Sequence, residues 1–143
     1  MGLDQPTNAG CGIIGTRSSY GELFNALGGG VFATWWNLNE SSTPFIAMWF
    51  FPRQNVPVDI QKGTPMPNSW GHPYALFQLG ADCPVSHFSE HKIIFDLTFC
   101  GDWAGSTFGH MCPGLGDCKT YVQNNPQHFE EAYWLINYVR VYQ

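Results

Sequence analysis

The sequence reads as all-β: a single domain over residues 1–143 folded as an antiparallel β-sandwich of jelly-roll type. Three observations predict this. In residues 93–100, Ile93, Phe95, Leu97 and Phe99 alternate with Ile94, Asp96, Thr98 and Cys100, and a period of two is the strand period. Residues 31–36 and 45–51 are β-branched and aromatic runs on either side of a polar stretch, the pattern of an antiparallel hairpin. Near the other end, Trp134, Ile136, Tyr138, Arg140 and Tyr142 alternate with Leu135, Asn137, Val139 and Val141. Short strands between Gly- and Pro-rich turns fit a sandwich or jelly roll.

Along the chain, residues 1–12 are irregular. Gly28, Gly29 and Gly30 mark a tight turn or bulge where φ can be positive. A strand follows over 31–36, then a polar loop over 37–44, then a second strand over 45–51. Residues 52–74 hold five prolines and little periodicity; a long excursion of this kind is functional or well pinned. Residues 74–78 read as a short edge strand. Residues 92–100 form the next strand, which breaks into a loop at Cys100-Gly-Asp-Trp-Ala-Gly105. Only 120–132 has helical character, and Pro126 splits it into two short turns. Residues 133–143 close the sheet. There is no internal repeat and no low-complexity linker.

Composition narrows the function. The net charge is −5 with only six Lys and Arg, so no basic patch exists to meet phosphates, and nucleic acid is excluded. No apolar run approaches the roughly 20 residues of a membrane helix. Pro6 stands where a myristoylation signal needs Ser or Thr. Met1 leads into no charged-then-apolar stretch, so the chain is expected to be a mature form, a fragment or a short gene product. The sequon Asn39-Glu40-Ser41 points, weakly, toward secretion. Aromatic residues, at 16%, outnumber charged ones at 12%. That is more ring surface than a small core uses, and a carbohydrate groove is a use for the surplus.

Asp102 and Trp103 are the first candidates for such a groove. A flat ring takes a sugar's C–H face and a carboxylate takes its hydroxyls. The structural alternative is a capping Trp and an Asp that holds the loop by backbone N–H groups. Trp49 and Trp36 lie in strands and face either groove or core. Arg53 hydrogen-bonds a sugar or pairs with Asp59. Trp70, followed by Gly71 and His72, forms one wall of a cleft. His87 and His91, with Cys83 nearby, have helical metal spacing, but Pro84 and the following strand argue against a helix, so no metal is expected. No nucleophile elbow, phosphate loop or cofactor motif appears. Five cysteines leave one unpaired. Cys112 with Cys118 closes a small Pro-Gly loop, Cys83 with Cys100 makes a plausible second bridge, and Cys11 is left over; sequence alone does not fix the connectivity.

Ordered motifs add a resemblance. They are Asn8-Ala-Gly-Cys-Gly12, Tyr20-Gly-Glu-Leu-Phe-Asn25 with Gly28-Gly-Gly30, and Trp49-Phe-Phe-Pro-Arg53. Trp70-Gly71, Ser86-His87-Phe88, Phe95 through Gly105, Tyr121-Val122 with Asn125-Pro126, and the ending Val139-Arg-Val-Tyr-Gln143 follow. Together they resemble the fungal laminarinase-type members of glycoside hydrolase family 16, secreted endo-β-1,3(4)-glucanases. The resemblance implies a concanavalin-like jelly roll, β-glucan as partner, no cofactor and an extracellular location. It also implies a strand bearing Glu-x-Asp-x-x-Glu, which supplies the nucleophile and acid/base of a retaining mechanism. That array is missing. Glu22 and Glu40 are isolated, Glu130 and Glu131 are neighbours, and Asp96 and Asp102 are six apart. The chain therefore resembles the C-terminal half of the family's domain, with no catalytic residues of its own and a Cys11 that has lost its partner. The expected function is a truncated glucanase-like protein that binds β-glucan or acts as an interaction protein, for example an immunomodulatory one. The alternative is an active glucanase whose missing strands or carboxylates come from another chain. Half a sandwich would expose its core face, so a symmetric homodimer is expected.

Overall fold

A computed structural model describes residues 12–15, 19–39 and 43–143. Cys11, the residues at 8–11 and the sequon's Glu40 and Ser41 lie outside the described residues. The chain divides into two compact units, Met1–Glu90 and His91–Gln143.

The first unit is built on a three-stranded antiparallel sheet, β1 (Gly30–Asn37), β2 (Phe45–Pro52) and β3 (Ala75–Gln78), in the order β1-β2-β3. The hairpin and edge strand thus form where their sequence patterns place them. Register sets Ala33 opposite Trp49, Trp35 opposite Ala47, and Met48 opposite Ala75. Gly30 is required at the start of β1, because a Cβ there would lie 2.5 Å from the Phe50 ring and 2.6 Å from the Phe51 carbonyl oxygen.

One face of the sheet carries Ala47 and Trp49, both buried. The excursion after β2 covers it. That excursion is not bare loop: it holds α2 (Val58–Lys62), ended by Gly63 in the left-handed region, between single 3-10 turns at Arg53–Asn55 and Pro67–Ser69. Val56 and Ile60 from this segment are buried, which pins it. The opposite face carries Phe32 and Phe50, 4.9 Å apart between ring centroids, which meet Phe24 of α1 (Gly21–Ala26) at 6.5 and 6.0 Å. Phe32 remains 54% exposed, so a six-residue helix covers this face incompletely.

The second unit departs from expectation. Residues 92–100 and 133–143 form no strand. Their alternation is real, but a strand exists only where a neighbouring backbone takes its N–H and C=O groups. Here the two segments touch through side chains instead. The Trp134 indole donates to the Asp96 carbonyl oxygen at 3.0 Å, and Phe95 meets Trp134 edge-on at 5.8 Å. The stretch expected as a loop at 100–105 is helical: α3 spans Gly101–Met111. Cys100, at φ 63°, and Gly101, at φ 70°, turn the chain into it. Pro126 does split the last helical stretch, into α4 (Cys118–Asn124) and a 3-10 turn at Pro126–Phe129. Asp117 caps α4 by accepting from the Thr120 N–H and hydroxyl, each at 2.9 Å.

The disulfide is Cys100–Cys118, not Cys112–Cys118 or Cys83–Cys100. Helix α3 explains why. It separates Cys100 from Cys112 by about 18 Å at 1.5 Å per residue, and Cys118 sits 5.9 Å from Cys100 between Cα atoms. Cys112 is then well beyond the roughly 7 Å that a disulfide spans. Cys83 and Cys112 bond to no described cysteine.

Candidate functional site

The sequence candidates fall into two groups, one in each unit. In the first unit, Trp49 is only 6% exposed. Its indole donates to the Gly71 carbonyl oxygen at 3.1 Å, and its ring meets Trp70 edge-on at 5.3 Å. A buried ring presents no face to a sugar, so Trp49 is corrected from groove to core. Trp70 also meets Phe51 edge-on at 5.6 Å and donates its indole N–H to Asp59 Oδ2 at 2.8 Å. The excursion is thereby clasped onto β2 by an aromatic trio and a carboxylate.

Asp59, the candidate partner of Arg53, turns elsewhere. It accepts from the Met66 N–H at 2.6 Å as well as from Trp70. Desolvation acts to raise its pKa, yet the Met66 N–H, the Trp70 indole and the Ile60 N–H outweigh it and hold the carboxyl below its ordinary value. Arg53 donates its Nε–H to the Gly28 carbonyl oxygen at 3.1 Å, fastening the glycine turn, and the rest of its guanidinium lies at an exposed position. Beside Asp59, an open depression of about 390 Å³ is lined by Val58, Lys62, Thr64, Met66 and Ser69.

In the second unit, Asp102 and Trp103 occupy the first turn of α3. Trp103 is 82% exposed. Its backbone is fixed, because its carbonyl oxygen accepts from Ser106 Oγ at 2.8 Å and Thr107 Oγ1 at 3.0 Å. The ring is thus open to solvent at the start of the helix, and the exposed Asp102 precedes it in the chain. Sequence reasoning named this pair but put it on a loop. It missed a second polar pair, Tyr121 Oη and His128 Nδ1 at 2.6 Å. Only the Pro126 break, which folds His128 back toward α4, could have signalled it. Among the described residues, no cluster of His, Cys, Asp and Glu could hold a metal ion, and no helix is long and apolar enough to cross a membrane.

The model of the family described as "XgeA-like, catalytic GH16 domain" matches residues 2–142. The chain belongs to glycoside hydrolase family 16. Relatives of this family 16 chain are fungal. A probable glycosidase of Schizosaccharomyces pombe is 46% identical over 99% of this chain and 33% of its own length. An endo-1,3(4)-β-glucanase of Arthroderma benhamiae is 42% identical over 99% of this chain and 31% of its own. A solved structure described as an elongating family 16 β-1,3-glucosyltransferase superposes with a TM-score of 0.67 at 40% identity, over 84% of this chain and 41% of that one. The family 16 chain thus spans about a third of these curated relatives and under half of the solved domain's chain.

Proposed function

We propose that this chain is a β-glucan-binding portion of a family 16 domain, working outside the cell, that does not hydrolyse its ligand unaided. The observation that carries the reading is Trp103, a rigidly based and almost fully open indole beside Asp102. The names of the relatives support β-glucan as the ligand. Catalysis with retention needs two carboxyl groups about 5 Å apart, one of them protonated to assist departure. The 143 residues contain no Glu-x-Asp-x-x-Glu. Asp59 and Asp117, the acids with lowered pKa, are both engaged as structural acceptors and stay charged.

Calorimetry with laminarin is expected to show binding, and a reducing-sugar assay on laminarin and lichenan to show no turnover. Trp103→Ala should weaken binding about tenfold, roughly 1.4 kcal/mol. Robust turnover by the pure chain would sink the non-catalytic reading. Absence of binding would leave an interaction protein.

A second reading is an active glucanase whose further strands or carboxylates come from another chain; the names of the relatives support the glucanase activity. In the isolated chain the exposed apolar faces support self-association into a homodimer. A monomeric mass by light scattering at micromolar concentration counts against it.

A further inference from the structure

We propose that the Cys100–Cys118 disulfide is a redox switch, opened by an anionic low-molecular-weight thiol of the glutathione class that enters beside Lys119 and attacks Cys100. Opening it unfastens α3, the helix that carries Asp102 and Trp103. The effect on sugar binding rests on the glucan-binding reading above; the exchange chemistry does not.

Three observations meet at this bond. An open depression of about 220 Å³ is lined by Phe99, Cys100, Gly101, Lys119, Val122 and Gln123. Cys100 borders it and is half-buried, whereas Cys118 is outside the lining and only 6% exposed. The two sulfurs are therefore unequal. An incoming thiol meets Cys100, and Cys118 is the leaving group, since access decides which sulfur is attacked. Next, Lys119 sets an exposed ammonium on the same depression. Its acidic neighbour Asp117 already spends its carboxylate on the Thr120 N–H and hydroxyl. A cation there attracts a thiol that carries carboxylates and favours its thiolate form. Finally, Cys100 stands at φ 63° and ψ −111°, a region that a residue with a Cβ rarely occupies. Freed of the link, Cys100 can relax, and accessible or strained disulfides are the labile, regulatory ones.

The packing makes the bond matter. Helix α3 has no buried residue, and α4 buries only Cys118. Phe108 and Tyr121 also join the helices, with ring centroids 5.7 Å apart, but both rings are half-buried. In the exchange, the thiolate forms a bond to Cys100 Sγ as the Sγ–Sγ bond breaks. Cys118 leaves as a thiolate and takes a proton from water. A second thiolate then attacks the small-molecule sulfur of the mixed disulfide, giving the oxidised thiol dimer and free Cys100. Two thiols thus supply the two electrons that reduce the protein disulfide.

The test caps all free thiols with iodoacetamide, adds glutathione, quenches in acid and labels newly released thiols with N-ethylmaleimide. Peptide mass mapping is expected to find glutathione on Cys100 and maleimide on Cys118. Lys119→Gln should slow opening by glutathione about threefold, a surface-charge effect, leave opening by neutral 2-mercaptoethanol unchanged, and be rescued by Lys119→Arg. After full reduction, amides of 101–111 and 118–124 should exchange about tenfold faster or more, while those of β1 and β2 do not change. Glutathione on Cys118 instead, equal slowing of both thiols in Lys119→Gln, or helices that keep their protection when reduced would each overturn the proposal. Laminarin is titrated separately into the oxidised and reduced chains. Loss of binding on reduction is expected, and equal binding in both states overturns the link to sugar recognition. Binding in neither state overturns the glucan reading alone, because the exchange is read by mass.

Discussion

Asp59 and Asp117 do the same work in different places. Each gathers N–H and other donors from a nearby turn onto one carboxylate: Met66 and Trp70 for Asp59, Thr120 for Asp117. At Asp117 the Thr120 N–H and hydroxyl hold the pKa down against desolvation, with Lys119 adding to the effect. Both carboxyls titrate lower folded than unfolded. Their stabilisation is therefore fully present above the unfolded Asp value of about 3.9 and is lost as pH falls through the lower folded values. The expected outcome is a melting temperature that is flat near neutrality and falls below about pH 4. Asp59→Asn and Asp117→Asn should each make that acid fall shallower, as thermal scans between neutral pH and pH 3 would reveal. A fall unchanged in both variants would assign it to other groups.

Elements formed where the sequence offered them a neighbour. Residues 31–36 and 45–51 are adjacent runs, so the hairpin they predict closes on itself, and β3 adds to it. The segments at 93–99 and 134–142 show equally clear alternation, but alternation reports which faces are apolar, not whether a backbone partner exists. Helix α3 was hidden for a different reason. Gly101, Gly105 and Gly109 lower its intrinsic propensity, and what secures it is the Cys100–Cys118 link to α4, a long-range fact that spacing does not encode. Two tests belong at this scale. Gly30→Ala forces a Cβ against backbone and an aromatic ring, and should cost about 1–3 kcal/mol or more in chemical denaturation. Cys118→Ser opens a loop with a separation of 18 residues, worth about 3 kcal/mol in the chain-entropy account. It should unravel α3 and α4 while amides of β1 and β2 keep their protection.

For the molecule as a whole, family membership was readable from ordered motifs, because they run through nearly the entire chain. Which of the candidate residues stay exposed was readable only in part. Trp103 and Asp102 emerged on an exposed turn, whereas Trp49 was drawn into the core by the excursion that Trp70 anchors. A strand pattern cannot say which face a later segment will cover. The Trp49–Trp70 pair has a further consequence. Two indoles 5.3 Å apart and nearly perpendicular, at 84°, couple their electronic transitions, whereas Trp103 stands open to solvent. The circular dichroism of the coupled pair is thus a built-in optical gauge of whether the excursion after β2 is seated.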